Sequence, residues 1–183
     1  ESSYHLAKEL YYKYNVGKIR LKFSLSRSSS NSTEQIPGAD DVSAEDVVLG
    51  LTEGFLEFQK QHPNFQFILS PSFRKEASSF DSSKYNTRQQ HFEAQVDEIV
   101  KMIDKYPHLQ SVMTDVDTVG SENDLYRKEH FYEFQKGFRK LQYRGFHIRS
   151  HHGETFYTLK KGIQAVDNAM NIWHISTLEH GLS

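Results

Sequence analysis

A chain of 183 residues, 37% of them hydrophobic, has the length and apolar content of one sizeable globular domain rather than of a disordered segment. Its formal net charge of -2, with acidic and basic residues interspersed, excludes the clustered basic surface that nucleic acid or an anionic membrane requires. The absence of cysteine excludes disulfides and thiolate sites, so a metal here calls for histidine and carboxylate ligands, and no apolar run reaches the roughly 18 residues that span a bilayer.

Leu6, Leu10, Tyr11 and Tyr14 recur at helical spacing, predicting a helix over Tyr4 to Tyr14 that Asn15 and Gly17 stop; its charged and aromatic residues are unlike a signal peptide. Ile19, Leu21, Phe23 and Leu25 alternate with polar residues, predicting a strand. The serine-rich stretch from Ser26 to Thr33, followed by Pro37, Gly38 and an acidic pair, reads as an exposed loop over residues 26–43; Asn31-Ser32-Thr33 within it is a glycosylation pattern that matters only in a secreted protein. Ser43 with Asp46 opens a helix that His62 and Pro63 close, and a strand is expected at Phe65 to Leu69. A loop from Pro71 to about Tyr85 leads into a helix carrying Phe92, Val96, Ile99, Val100 and Ile103, closed by Lys105, Tyr106 and Pro107. Further expectations are a strand at Leu109 to Val116, a helix from Leu125 to Tyr143 ending at Gly145, a strand at Phe146 to His151, a helix over Thr158 to Ala169 and a strand at Ile172 to Leu178.

Strand and helix alternating at intervals of about thirty to forty-five residues are the signature of parallel βα units. No glycine-rich phosphate loop follows the first strand, and the suggestive polar residues cluster at the C-terminal ends of later strands, which favours a (β/α) TIM-type barrel over a doubly wound sheet. An eight-stranded barrel takes about 250 residues, so residues 1–183 read as the central part of one barrel domain with about five strands, the remainder coming from further chain segments.

Two adjacent strand ends carry the chemistry. Gly145-Phe146-His147-Ile148-Arg149-Ser150-His151-His152-Gly153-Glu154-Thr155 places His151 at a strand tip, then a glycine turn, then a carboxylate facing the same cavity. Thr177-Leu178-Glu179-His180-Gly181 ends the next strand the same way, one helix and one strand further on.

These stretches resemble the adenosine deaminases, and among them the secreted deaminase-related growth factors. Residues 145 to 155 are similar to that family's His-Ala-Gly-Glu segment, Glu179-His180-Gly181 to its later Gly-His-Gly segment, and Asp117-Thr118-Val119-Gly120-Ser121-Glu122 to its aspartate-aliphatic-x-glycine-x-glutamate stretch; the likeness covers residues 43 to 183. The resemblance implies zinc-dependent hydrolytic deamination of adenosine, or a close purine nucleoside, to inosine and ammonia. It implies that His151 is a Zn2+ ligand, that Glu154 protonates the purine ring nitrogen, that His180 orients and helps deprotonate the water bound by zinc, and that Gly120 offers its backbone to the purine. It implies secretion if it extends to the growth-factor branch, and a cytoplasmic protein otherwise. The family's paired histidines of the first strand and aspartate pair of the last strand are absent from this sequence.

Three residues depart from the family pattern. His152 stands where a small residue is usual and is an alternative ligand beside His151; Glu179 stands where glycine is usual and should point away from the cavity if His180 points in; Arg149 shares His151's strand face and is expected to pair with Asp115 or Asp117. The tyrosines of the first helix read as packing rather than as a base-stacking platform, and Asp40, Asp41, Glu45 and Asp46 as a solvated loop and helix start rather than a calcium site. Two alternatives stay open: a catalytically inactive relative or incomplete fragment that binds without turnover, and another metal-dependent hydrolase of the same architecture. The sequence leaves the oligomeric state open, a dimer included.

Overall fold

The computed structural model describes residues 2–24, 42–76, 79–123, 125–154 and 156–180. The serine-rich stretch, apart from its last two residues, and Gly181 lie outside the described residues. The order is α1 (Ser2–Tyr14), β1 (Lys18–Phe23), α2 (Ala44–Gln61), β2 (Gln66–Arg74), α3 (Arg88–Lys105), a 3-10 helix (Pro107–Ser111), β3 (Asp115–Val119), α4 (Lys128–Tyr143), β4 (His147–His152), α5 (Leu159–Asn168), a π-helical turn (Ala169–Trp173) and β5 (Thr177–His180). The five strands form a parallel sheet in the order β1-β2-β3-β4-β5. Sequential parallel neighbours need crossover segments, which the intervening helices supply, so the chain is an α/β fold. Among the described residues no helix is long and apolar enough to cross a membrane.

Two compact units share the chain, one made of residues 1–71 and 108–113 and the other of residues 72–107 and 114–183. In the first, Ser43 caps α2 through the box read from the sequence: its side chain accepts from the Asp46 N–H at 3.1 Å while Asp46 accepts from the Ser43 N–H at 3.0 Å. Val48, Phe55 and Phe58 of α2 are buried with Phe65, Phe67 and Leu69, and Tyr11 of α1 meets Phe58 edge to face at 5.6 Å.

The second unit is built on an aromatic core. Phe73 of β2 packs on Phe92 of α3 at 5.0 Å, Phe92 on Phe134 of α4 at 4.8 Å, and Trp173 on Phe131 at 4.6 Å. The indole N–H donates to the Phe131 carbonyl at 2.8 Å, which allows Trp173 to be fully buried. Helix α4 ends in a Schellman motif: the Gly145 N–H donates to Gln142 at 2.9 Å and the Phe146 N–H to Leu141 at 3.0 Å, with Gly145 at φ 90°.

Three boundaries differ from expectation. Strand β2 runs through Pro71 to Arg74, because Pro71 lies where the strand exchanges partners: Phe23↔Pro71 ends the register with β1 and Ser72↔Asp117 begins that with β3. Leu109 to Ser111 lie in the 3-10 helix opened by Pro107, and β3 begins at Asp115. The apolar residues Leu109, Val112, Met113 and Val116 follow a spacing closer to a helical turn than to a strand, whereas the strand proper carries two buried aspartates that hide it from hydropathy. Ile172 and Trp173 belong to the π turn that prolongs α5, and β5 begins only at Thr177. Arg139 of α4 donates to the Ile172 and Trp173 carbonyls at 2.6 and 3.2 Å, and Gln142 to Trp173 at 3.0 Å, satisfying the helix end.

Candidate functional site

Strands β3, β4 and β5 are neighbours in the second unit; Asp117 stands midway along β3, and His151 and His180 at the ends of β4 and β5. The imidazole of His151 has one nitrogen committed: Nδ1 is 3.1 Å from Asp117 Oδ1 and 3.1 Å from the Thr118 carbonyl oxygen. Both neighbours are acceptors, so Nδ1 carries the proton and Nε2 presents the lone pair. Asp117 is 0% exposed and His151 is partly open, the arrangement of a buried carboxylate that orients a histidine ring.

The rings of His151 and His180 lie 5.3 Å apart, and His180 Nε2 stands 3.3 Å from Glu154 Oε2. The structure therefore brings together the three residues singled out from the two motifs. Register alone would put His180 on the face of His152, its partner across β4–β5. A positive φ of 75° at His180 breaks the strand's alternation and carries the side chain back to His151.

The turn that presents Glu154 is held by a residue whose part sequence reasoning did not identify. Glu122, 2% exposed, accepts from the Gly153 N–H through Oε1 and from the Glu154 N–H through Oε2, both at 2.8 Å. Gly153, at φ 74°, makes the turn possible. At the other end of the turn the ammonium of Lys75 donates to the His151 carbonyl. Burial, the largest influence, pushes the Lys75 amine from 10.5 down to about 8, against the opposing pull of Glu122, Glu154, Asp117 and Glu76. The signal that could have found Lys75 is the charged run Arg74-Lys75-Glu76 directly after an apolar strand, which a strand ending at Leu69 obscured.

Gly120 sits at φ 105° with the Glu76 carboxylate against it, in the space a side chain would take. Glu76 also accepts from the Ser121 N–H at 3.0 Å and pairs with Arg74 at 2.8 Å. Gly120 is thus near the tips but is packed by Glu76.

The three departures resolve as follows. Arg149 pairs with Glu179, at 3.1 Å from Nε and 2.5 Å from Nη2, instead of Asp115 or Asp117. Glu179 lies opposite His151 in the β4–β5 register, on the face it was expected to avoid, because same-register residues of parallel neighbours point the same way. His152 is fully buried against Phe131 at 5.9 Å and Trp173 at 5.4 Å, on the helix-covered side of β4 and away from His151's face. Burial pushes its pKa from 6.5 to about 4, with Glu122, 3.5 Å from Nδ1, pulling the other way.

For zinc the fit is partial. His151, with Nδ1 engaged and Nε2 outward, has the form of one ligand. Among the described residues no group of three or more His, Cys, Asp or Glu side chains is disposed to hold a metal ion, and a catalytic zinc takes three protein ligands. No protein-family model and no curated protein matches this chain.

Proposed function

We propose that this chain carries part of the active site of a zinc-dependent (β/α)-barrel hydrolase that deaminates adenosine, or a close purine nucleoside, to inosine and ammonia. The observation that supports this most is the convergence of His151, Glu154 and His180 at neighbouring strand tips, with Asp117 behind His151. In this reading the barrel has eight strands, and ligands beyond the described residues complete the metal set around His151. The chemistry such an ion supplies is Lewis acidity, which makes water nucleophilic at neutral pH.

The chain's own residues do the rest. Asp117 fixes the His151 ring by holding Nδ1–H, so Nε2 would be the atom of this residue to hold the ion. Hydrolytic deamination needs a proton placed on a purine ring nitrogen as water adds, and Glu154, half-exposed at the rim, is the carboxyl to donate it. His180, within 3.3 Å of Glu154, takes a proton from the attacking water and lies where it can stabilise the charge on Glu154 once that residue has given up its own. Gly120 offers its backbone to the purine, and nothing in the chain's charge calls for a nucleic acid or membrane partner.

A second reading, an inactive relative that binds without turnover, is favoured by the Glu76 carboxylate packed on Gly120, where the purine edge would lie. One experiment separates the two: the fall in ultraviolet absorbance when purified protein is mixed with adenosine, with and without a zinc chelator. Chelator-sensitive turnover is the expected result; no turnover with zinc added in excess sinks the deaminase reading.

A further inference from the structure

Lys75 directly follows β2 and is 0% exposed. Its backbone N–H donates to the Val119 carbonyl at 2.9 Å, extending the pairing with β3. Its side chain passes that neighbour, and the ammonium donates to the carbonyl of His151 on β4, one strand further. A single residue therefore ties three strand tips together.

A buried ammonium carries a large desolvation cost that a methionine of similar volume would not, so packing alone does not account for a lysine here. What the amine adds is charge at one end of a turn whose other end is already held by charge. The turn from His151 to Glu154 offers a carbonyl oxygen at its start and two N–H groups at its end. The ammonium of Lys75 meets the first and the carboxylate of Glu122 meets both of the others. Each peptide dipole thus faces the opposite charge, and rotating any of these peptides breaks a charge-assisted bond. Glu122 is also the strongest of the four carboxylates acting on Lys75, so the two ends of the clamp stabilise each other.

We infer that Lys75 is a positioning residue: with Glu122 it forms a two-ended charge clamp that holds the His151–Glu154 turn so that the Glu154 carboxyl is delivered to His180, beside His151. The effect on turnover rests on the deaminase reading above; the clamp itself does not.

The test is Lys75→Met in the full chain, read by amide hydrogen exchange at Gly153 and Glu154 and by adenosine turnover. Exchange at both amides should accelerate by at least about 10-fold, and kcat should fall by about 100-fold with KM within about twofold, the pattern of a displaced catalytic group and not of lost binding. The protein should stay folded, because methionine fills the space, but its unfolding midpoint should fall, because the His151 carbonyl loses its donor and the buried Glu122 carboxylate its counter-charge. Unchanged exchange, or a loss of activity that only follows a loss of folded protein, overturns the clamp. Faster exchange in the variant, together with a wild-type protein that turns over no adenosine, leaves the clamp standing and removes the deaminase reading. If the variant does not fold, the unmodified protein decides: at pH 6 the Lys75 NH3+ should give a slowly exchanging proton–nitrogen cross-peak, and a solvent-averaged amine overturns the proposal.

Discussion

Replacing Glu122 by glutamine exchanges one oxygen for one NH2 and alters almost nothing in volume, so the change isolates charge and hydrogen-bonding capacity. The wild-type side chain is 1% exposed and accepts two N–H groups at 2.8 Å. Glutamine keeps one acceptor and turns a donor toward the other N–H, which leaves a buried donor unsatisfied at a cost of about 1–3 kcal/mol. The bond that survives is no longer charge-assisted and loses roughly half its strength. Lys75 loses the strongest of the carboxylate charges that oppose its desolvation while remaining buried, which shifts it further toward the neutral amine. Together the unsatisfied donor and the weakened bond set the scale, and about 2–3 kcal/mol of destabilisation at pH 7 is expected for Glu122→Gln. Urea unfolding followed by the fluorescence of Trp173, the only tryptophan and 0% exposed, reports on this unit. A loss below about 1 kcal/mol at unchanged m would show that the turn is not held by the carboxylate.

Three further outcomes follow from the same geometry. Alanine at Gly137 gains about 1 kcal/mol of helix propensity. Its Cβ would stand 2.5 and 2.8 Å from the ring of Phe92, which is enclosed by Phe73, Phe134 and Phe138, so overpacking of about 1–3 kcal/mol should outweigh the gain; a Gly137→Ala protein more stable than wild type in urea refutes the packing argument. His152 is held neutral in the fold, with its pKa pushed by burial from 6.5 to about 4, so the folded state binds fewer protons than the unfolded one between those values. The stability it confers is present above pH 6.5 and is lost as pH falls toward 4, about 3 kcal/mol in all; a His152→Asn variant whose stability falls as steeply over that window would contradict this. Glu154→Gln should lower adenosine turnover by at least about 100-fold with metal content unchanged, and near-full activity in that variant removes Glu154 as the acid.

Local rules made much of the fold legible. The Ser43–Asp46 capping box, the Gly145 stop and the helical stripe from Phe92 to Ile103 were read from nearest neighbours in the chain, and the structure places a cap, a Schellman motif and a buried helix face there. The three residues at the tips of β4 and β5 were also legible, since a histidine ending a strand before a glycine turn is a local pattern. Errors fell where local rules compete. Pro71 marked a strand's end although the strand only changes partner there, and Ile172 and Trp173 looked like strand although the helix runs on as a π turn that Arg139 and Gln142 close.

By itself, then, the sequence determined the alternation of helices and strands, the parallel character of the sheet that such alternation requires, and which residues stand at the strand tips. It did not determine which of those residues meet. Arg149 pairs with Glu179 and not with an aspartate, His180 reaches His151 through a positive φ, and Lys75 crosses one strand to hold the carbonyl of another. Periodicity reports which face of an element is buried and says nothing of what lies opposite, because strand order and register are set by packing between residues far apart in the chain. The charged groups of this site are stable only as a set, each carboxylate and the buried amine depending on the others, and that dependence exists only in the tertiary structure.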